Sequence, residues 1–471
     1  MKPQRRLHPV PALARTAVAL ISLLFATPLH AQEEAEMRER LESLERDVAE
    51  LRARLQEARD TTAALETIRL QIEAITRQLE ELRLGRELVV VADSTAHGFG
   101  PAASKVYGVR QGVSIGGYGE LLYENFAEER EDEAPSGKTD RLDFLRAILY
   151  AGYKFNDRFL FNSEIEFEHA STDQKGSVSI EFAYLDYRAS EHFGIRGGLL
   201  LPPMGFLNEL HEPPTFLGAR RPETELRIIP STWRENGVGI FGEAGRFSYR
   251  AYLVNGFDAV GGGSSGSGGF SASGVRGGRQ KGSKTVAEDF AGVGRVDYLG
   301  RMGLTVGTSL YLGEAGQGNP MPSDPTREIG ARTLIWEGHA EYRAHGFDLR
   351  GLFALADIDD VAELNEAKGL TGASSIGERL IGWYVQAGYD VLSAVFTEAQ
   401  LLPYVRFEKL NTQDDVPAGF AADPANDREI LTFGAAWKPI PNIVVKADYA
   451  LQSNEADTGV DQLSVALGYL F

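Results

Sequence analysis

The chain is 471 residues long and sets 67 acidic against 48 basic side chains, a formal charge of −19. That balance argues against nucleic acid or an anionic membrane surface as a partner. The absence of cysteine excludes disulfides, thiol nucleophiles and thiolate metal sites.

The first element has the form of an export signal. Lys2, Arg5, Arg6 and Arg15 precede the apolar run "AVALISLLFA" at 17–26, and small Ala31 follows. A basic start, a short apolar core and a small residue at the cleavage point predict a secretory signal peptide over 1–31. Ten apolar residues are too few to cross a bilayer core of about 30 Å as a helix.

Residues 32–84 change character to Leu, Ala and charge, with no Gly or Pro. Met37, Leu41, Leu44, Val48, Leu51, Leu55 and Ala58 form a heptad seam, which resumes at Ile68, Ile72, Ile75, Leu79 and Leu82. The spacing predicts a coiled coil. Ile68 and Ile75 at d positions disfavour a parallel dimer and favour three or four strands. At 1.5 Å per residue the rod would be about 75 Å long. Residues 85–111 lose the heptads, gain Gly, Pro and Ser, and read as a linker.

From Gly112 the apolar period becomes two. Segments such as "RLDFLRAILYAGYKF" and "TLIWEGHAEYRA" put Leu334, Trp336 and Ala340 on one parity and Glu337, His339 and Glu341 on the other. Such strands divide an apolar medium from a wet one, and their length meets the ~9–11 residues a tilted strand needs to span a bilayer. The connections alternate between tight turns ("ND" at 156–157, "HG" at 345–346) and long loops. That alternation predicts an all-β transmembrane antiparallel barrel of about 16 strands over 112–471, preceded by the helical coiled coil. The chain ends on "LSVALGYLF", a strand whose Tyr469 and Phe471 share the apolar parity. It is expected to close the barrel, because an open edge in lipid leaves backbone groups unsatisfied.

The third long loop, from about Pro202 to Glu235, combines charges of both signs with apolar anchors (Met204, Phe206, Leu210, Phe216, Leu217, Trp233). It is expected to fold back into the lumen, where Arg220, Arg221, Arg227, Arg234, Glu209, Glu212 and Glu223 are candidates to line a constriction. The Gly- and Ser-rich fourth loop, 261–274, reads as mobile external linker, so Arg276 and Arg279 are expected in bulk water.

In "GGLLLPPMGFLNELHEPPTF" and "RPETELRIIPSTWRENGVGIFGE" the sequence resembles the phosphate-selective porin O and P family and its wider porin relatives. The resemblance covers about three quarters of the chain. It implies a trimeric sixteen-stranded diffusion channel constricted by its third loop, with basic residues along the lumen of the phosphate members. A C-terminal strand ending in Phe, with Tyr469 two before it, resembles the signal by which the barrel-assembly machinery recognises its substrates. The chain departs from the phosphate members in its overall acidity and in the run Glu164, Glu166, Glu168 on one strand parity.

Other motifs lead nowhere. "GVGIFG" at 237–242 lies between strands, whereas dinucleotide binding needs a following helix. His211 beside Glu212 reads as a solvated loop histidine, since two adjacent residues do not supply a ligand set. No nucleophile, base and orienting group assemble, so neither an enzyme nor a cofactor is expected. The expectation is an outer-membrane porin of a Gram-negative-type bacterium, passing small hydrophilic solutes, with its coiled coil in the periplasm and outer-membrane lipid around it. The alternative is a tether to the cell wall, with peptidoglycan held by the coiled coil and an incidental pore.

Overall fold

The protein is described by a computed structural model covering residues 42–50, 96–300, 303–395 and 397–471. Two compact units divide at Val89 and Val90. In the first, residues 42–50 are helical; the signal peptide and the remainder of the coiled coil lie outside the described residues. Everything below concerns the second unit.

Sixteen strands form a closed antiparallel ring in which each pairs with its sequence neighbours and β1 (Gly112–Phe126) pairs with β16 (Gln462–Leu470). Strand lengths run from 7 residues in β5 (Gly194–Leu200) to 16 in β13 (Gln400–Asp415). Closure follows from the period-two pattern. In β10 (Thr333–Ala344), Glu337 and His339 are buried toward the interior while Trp336 and Ala340 face out. Leu253, Val296, Leu310, Val385, Val405 and Phe433 are exposed on the outside of other strands. The exterior is therefore a greasy band and the interior carries the charge, the reverse of a soluble core.

Tight turns such as 245–246, 345–346 and 441–442 join strands at one rim, and the long loops lie at the other. Outward aromatics gather at the short-turn rim in cross-strand pairs: Phe159 with Tyr187 at 4.9 Å, Phe247 with Tyr298 at 5.4 Å, Phe347 with Tyr389 at 4.9 Å. The seam between the first and last strands carries its own aromatics. A Cβ on Gly119 would lie 2.4 Å from the Tyr469 hydroxyl, and one on Gly117 would lie 2.8 Å from the Phe471 ring. The two rings thus rest on glycines of β1. Phe471 also exchanges two backbone hydrogen bonds with Gly117, at 2.9 and 3.0 Å.

The linker expectation fails for residues 96–108. Pro101–Gly108 is a helix with Pro in its first turn, and Phe99, Ala102, Ala103 and Val106 are buried in the apolar cluster inside the ring. Phe99 packs against Phe182 and Tyr184, with centroids 5.2 and 5.6 Å away. A helix of eight residues is too short to stand alone in water; enclosure by the barrel wall is what makes it stable. We refer to 96–108 as the plug.

Candidate functional site in the lumen

The third loop, between the end of β5 at Leu200 and the start of β6 (Glu235–Ala244) at Glu235, turns inward. Met204, Phe216, Leu217 and Trp233 are buried. The loop then crosses to the opposite wall and is held there mainly through its backbone. Lys446 Nζ donates to the Gly218 carbonyl at 2.9 Å and sits 3.5 Å from the centre of the Phe216 ring. The Ala219 amide donates to Asp448 at 2.6 Å, and Arg343 donates to the Thr215 carbonyl at 2.6 Å. Within the loop, Glu225 accepts from the Phe206 and Leu207 amides at 2.7 and 2.8 Å and from the Tyr384 hydroxyl at 2.6 Å. Burial raises the Glu225 pKa, opposed by these hydrogen bonds. A backbone fastened at this many points holds its side chains in fixed places.

The fourth loop, 256–289, is anchored on both sides of its Gly- and Ser-rich stretch: within 261–274 Phe270 and Gly274 are buried while Gly262, Gly263 and Ser264 stay exposed. Phe257, Ala259, Phe270 and Val275 are buried, and Trp233 stacks on Phe257 at 4.6 Å. Arg279 Nη1 donates to the Ser231 and Thr232 carbonyls, each at 2.9 Å, and Arg276 Nη2 to the Thr232 hydroxyl at 3.0 Å. Burial, and then the charge of Arg279, push Arg276 down to about 9. These two arginines brace the third loop and do not lie in bulk water.

Against the wall formed by β1, β13, β14 (Asp427–Ile440), β15 (Ile443–Asn454) and β16, above the third loop on its long-loop side, the lumen stays open as a cavity of about 480 Å³. Its lining holds seven basic side chains (Lys138, Arg141, Arg220, Arg221, Arg227, Arg406, Arg428) against four carboxylates (Glu124, Glu223, Glu408, Asp448). A chain of net charge −19 thus presents a basic chamber. Low-dielectric walls strengthen each of those charges relative to one in open water.

Among the seven sequence candidates, four line this chamber. Arg220 pairs with Glu124 while remaining half exposed. Arg221 leaves its Nη2 atom without a partner, and its pKa is lowered, first by burial and then by Arg146. Arg227 pairs with Glu223, which Arg227 holds below the usual carboxylate range against the effect of burial. The other three are structural. Arg234 binds Glu181 at 3.1 Å, and Glu209 binds Arg250 at 2.8 Å. Glu212 accepts from the Ala102 and Ala103 amides at 3.2 and 3.0 Å, at the N-terminus of the plug helix, where free amides and the helix dipole favour a carboxylate. His211 is also no solvated loop residue: it is buried, with its ring between Glu164 and Glu181.

The sequence reading missed Lys138, Arg141, Arg406 and Arg428. Arg406 was legible in principle, because "PYVRFEKL" alternates and puts Arg406 and Glu408 on the lumen parity. The acidic run on β3 (Phe159–Glu168) is offset within the lumen: Glu164 meets His211 at 3.2 Å and Glu166 meets Arg146 at 3.5 Å.

No family model matches the chain. An uncharacterized protein of Aquifex aeolicus (strain VF5) is 38% identical over 383 residues, covering 79% of this chain and 83% of that protein. Solved structures with a similar course include Salmonella typhi OmpF in complex with daunomycin, at 13% identity and a TM-score of 0.49, covering 77% of this chain and 98% of that one. The outer membrane channel DcaP of Acinetobacter baumannii is 11% identical with a TM-score of 0.49, covering 76% and 97%. An anion-selective porin from Comamonas acidovorans is 12% identical with a TM-score of 0.47, covering 76% and 99%.

Proposed function

The chain belongs to the same family as the uncharacterized Aquifex aeolicus protein, and we propose that it is an outer-membrane porin whose third loop forms the constriction and whose chamber favours small anions. The observation that carries this reading is the closed ring with an apolar exterior and a charged interior, narrowed by an inward loop and opening into a basic cavity. A barrel of this kind satisfies every strand hydrogen bond without water, which is the condition for residing in lipid. The short-turn rim faces the periplasm and the long loops face outward. Passage is passive; selectivity comes from width and from charge at the narrow point. Phosphate is one solute of suitable size and charge, a homotrimer is the expected assembly, and the coiled coil stands in the periplasm.

Reversal potentials across a salt gradient in planar bilayers test the reading. The wild-type channel is expected to prefer anions, and Arg220→Gln with Arg221→Gln should shift the potential toward cations. The shift should grow at low salt, because a Debye length of about 10 Å at 0.1 M lengthens on dilution. A channel that conducts with no anion preference, or a double variant identical to wild type, would refute the selectivity. Absence of conductance would refute the porin.

A further inference from the structure

Glu164 on β3, Glu181 on β4 (Ser177–Arg188) and His211 in the third loop come together inside the barrel, and each is almost wholly buried. One donor atom from each lies within 4.8 Å of the others. His211 Nε2 is 3.2 Å from Glu164 Oε1 and 3.3 Å from Glu181 Oε2. Ligand bonds of about 2.0–2.1 Å in a tetrahedron place neighbouring donors about 3.3 Å apart, so both edges match a four-coordinate zinc-like ion.

Three further observations point the same way. His211 Nδ1 lies 3.1 Å from the Asn208 carbonyl. A ring whose Nδ1–H donates there turns its Nε2 lone pair into the space between the two carboxylates, the arrangement that orients a metal-bound imidazole. Glu164 Oε2 is a buried atom without a hydrogen-bond partner. The buried Tyr118 hydroxyl also lacks one, and its ring stands edge-on to His211 at 6.1 Å. Buried polar groups are normally satisfied, so orphaned oxygens at one spot ask for a ligand.

We infer that Glu164, Glu181 and His211 form a binding site for one borderline divalent cation of the zinc class, clamping the third loop to the barrel wall. One imidazole with two carboxylates is a donor set that suits Zn²⁺ better than the oxygen-only, higher-coordinate preferences of Mg²⁺ or Ca²⁺. Three protein donors leave a position for solvent. The inference does not depend on what the channel passes.

The test uses the full chain in detergent, stripped with a chelator and titrated with Zn²⁺ by calorimetry, with metal content read by elemental analysis and Mg²⁺ as the control cation. One Zn²⁺ per chain is expected, with Mg²⁺ giving no comparable heat. His211→Ala and Glu164→Gln should each weaken Zn²⁺ binding at least about tenfold while the barrel remains heat-modifiable on gels. Glu209→Gln, which alters a buried carboxylate of the same loop outside the triangle, should bind as wild type. No stoichiometric uptake by the stripped wild-type chain would mean that a protonated His211 merely bridges two carboxylates, and the site would be refuted. Uptake unchanged in both His211→Ala and Glu164→Gln would refute it equally.

Discussion

At the scale of single residues, His211 and Glu212 do opposite jobs from adjacent positions. One ring faces the wall carboxylates, while the next side chain holds the amides of the plug helix. His97, at the start of the plug, makes one pH-dependent contribution to its seating. Its ring packs between Tyr107 and Phe241 at 4.8 and 4.9 Å. Burial first, then the charges of Arg196, Arg188 and Arg250, push it down to about 3 from its ordinary 6.5. The unfolded segment therefore takes up a proton near pH 6.5 that the seated one refuses. This contribution to seating is complete at neutral pH and is lost as the pH falls from 6.5 toward 3. Glu212, which burial pushes up to about 7, takes up a proton in the same range and acts in the opposite direction, so the effect of His97 is read as a difference. His97→Asn cannot protonate there and tolerates the left-handed φ of 52°; between pH 7.5 and 4.5 the wild type should lose amide-exchange protection over 96–108, corrected for intrinsic rates, relative to this variant.

At the scale of elements, the two longest loops act as one body. Thr232, a β-branched residue at φ 56°, is held by Arg276 and Arg279 on its carbonyl and hydroxyl, a conformation that costs energy and persists only when neighbours enforce it. Arg276→Gln with Arg279→Gln should release the root of the third loop. Single-channel records should then show a larger and noisier conductance, with anion preference changed less than in the Arg220 and Arg221 double variant. The sequence exposed the strands and the bounds of the third loop, because period-two alternation is a local signal that survives any tertiary context. It hid the fourth loop, because "GGGSSGSGGFSASG" has the composition of a free linker and only Phe270 within it hints at burial. The plug was hidden for a related reason. Its helix has eight residues, and the marks of it, Pro101 at the start and Ala102, Ala103 and Val106 on one face, mean little without a wall to pack on.

At the scale of the whole molecule, the ring depends on one seam. Deleting Phe471 removes two backbone hydrogen bonds to Gly117 and the ring that covers that glycine. The amount of heat-modifiable barrel recovered in the outer-membrane fraction should fall severalfold, while total synthesis measured by immunoblot should be unchanged. The plug gives that seam a second meaning. It precedes β1 in the chain, yet it lies inside the ring that β1 and β16 complete. Once the circle is shut, a segment bearing Phe99 and Tyr107 would have to thread past the short-turn rim to reach its seat. The order expected is the reverse, with the plug seated before β16 pairs with β1: in pulse-labelled amide exchange during refolding into detergent, protection of 96–108 should appear no later than that of Gly117 at the seam. On that order the terminal aromatics would latch a vessel already filled.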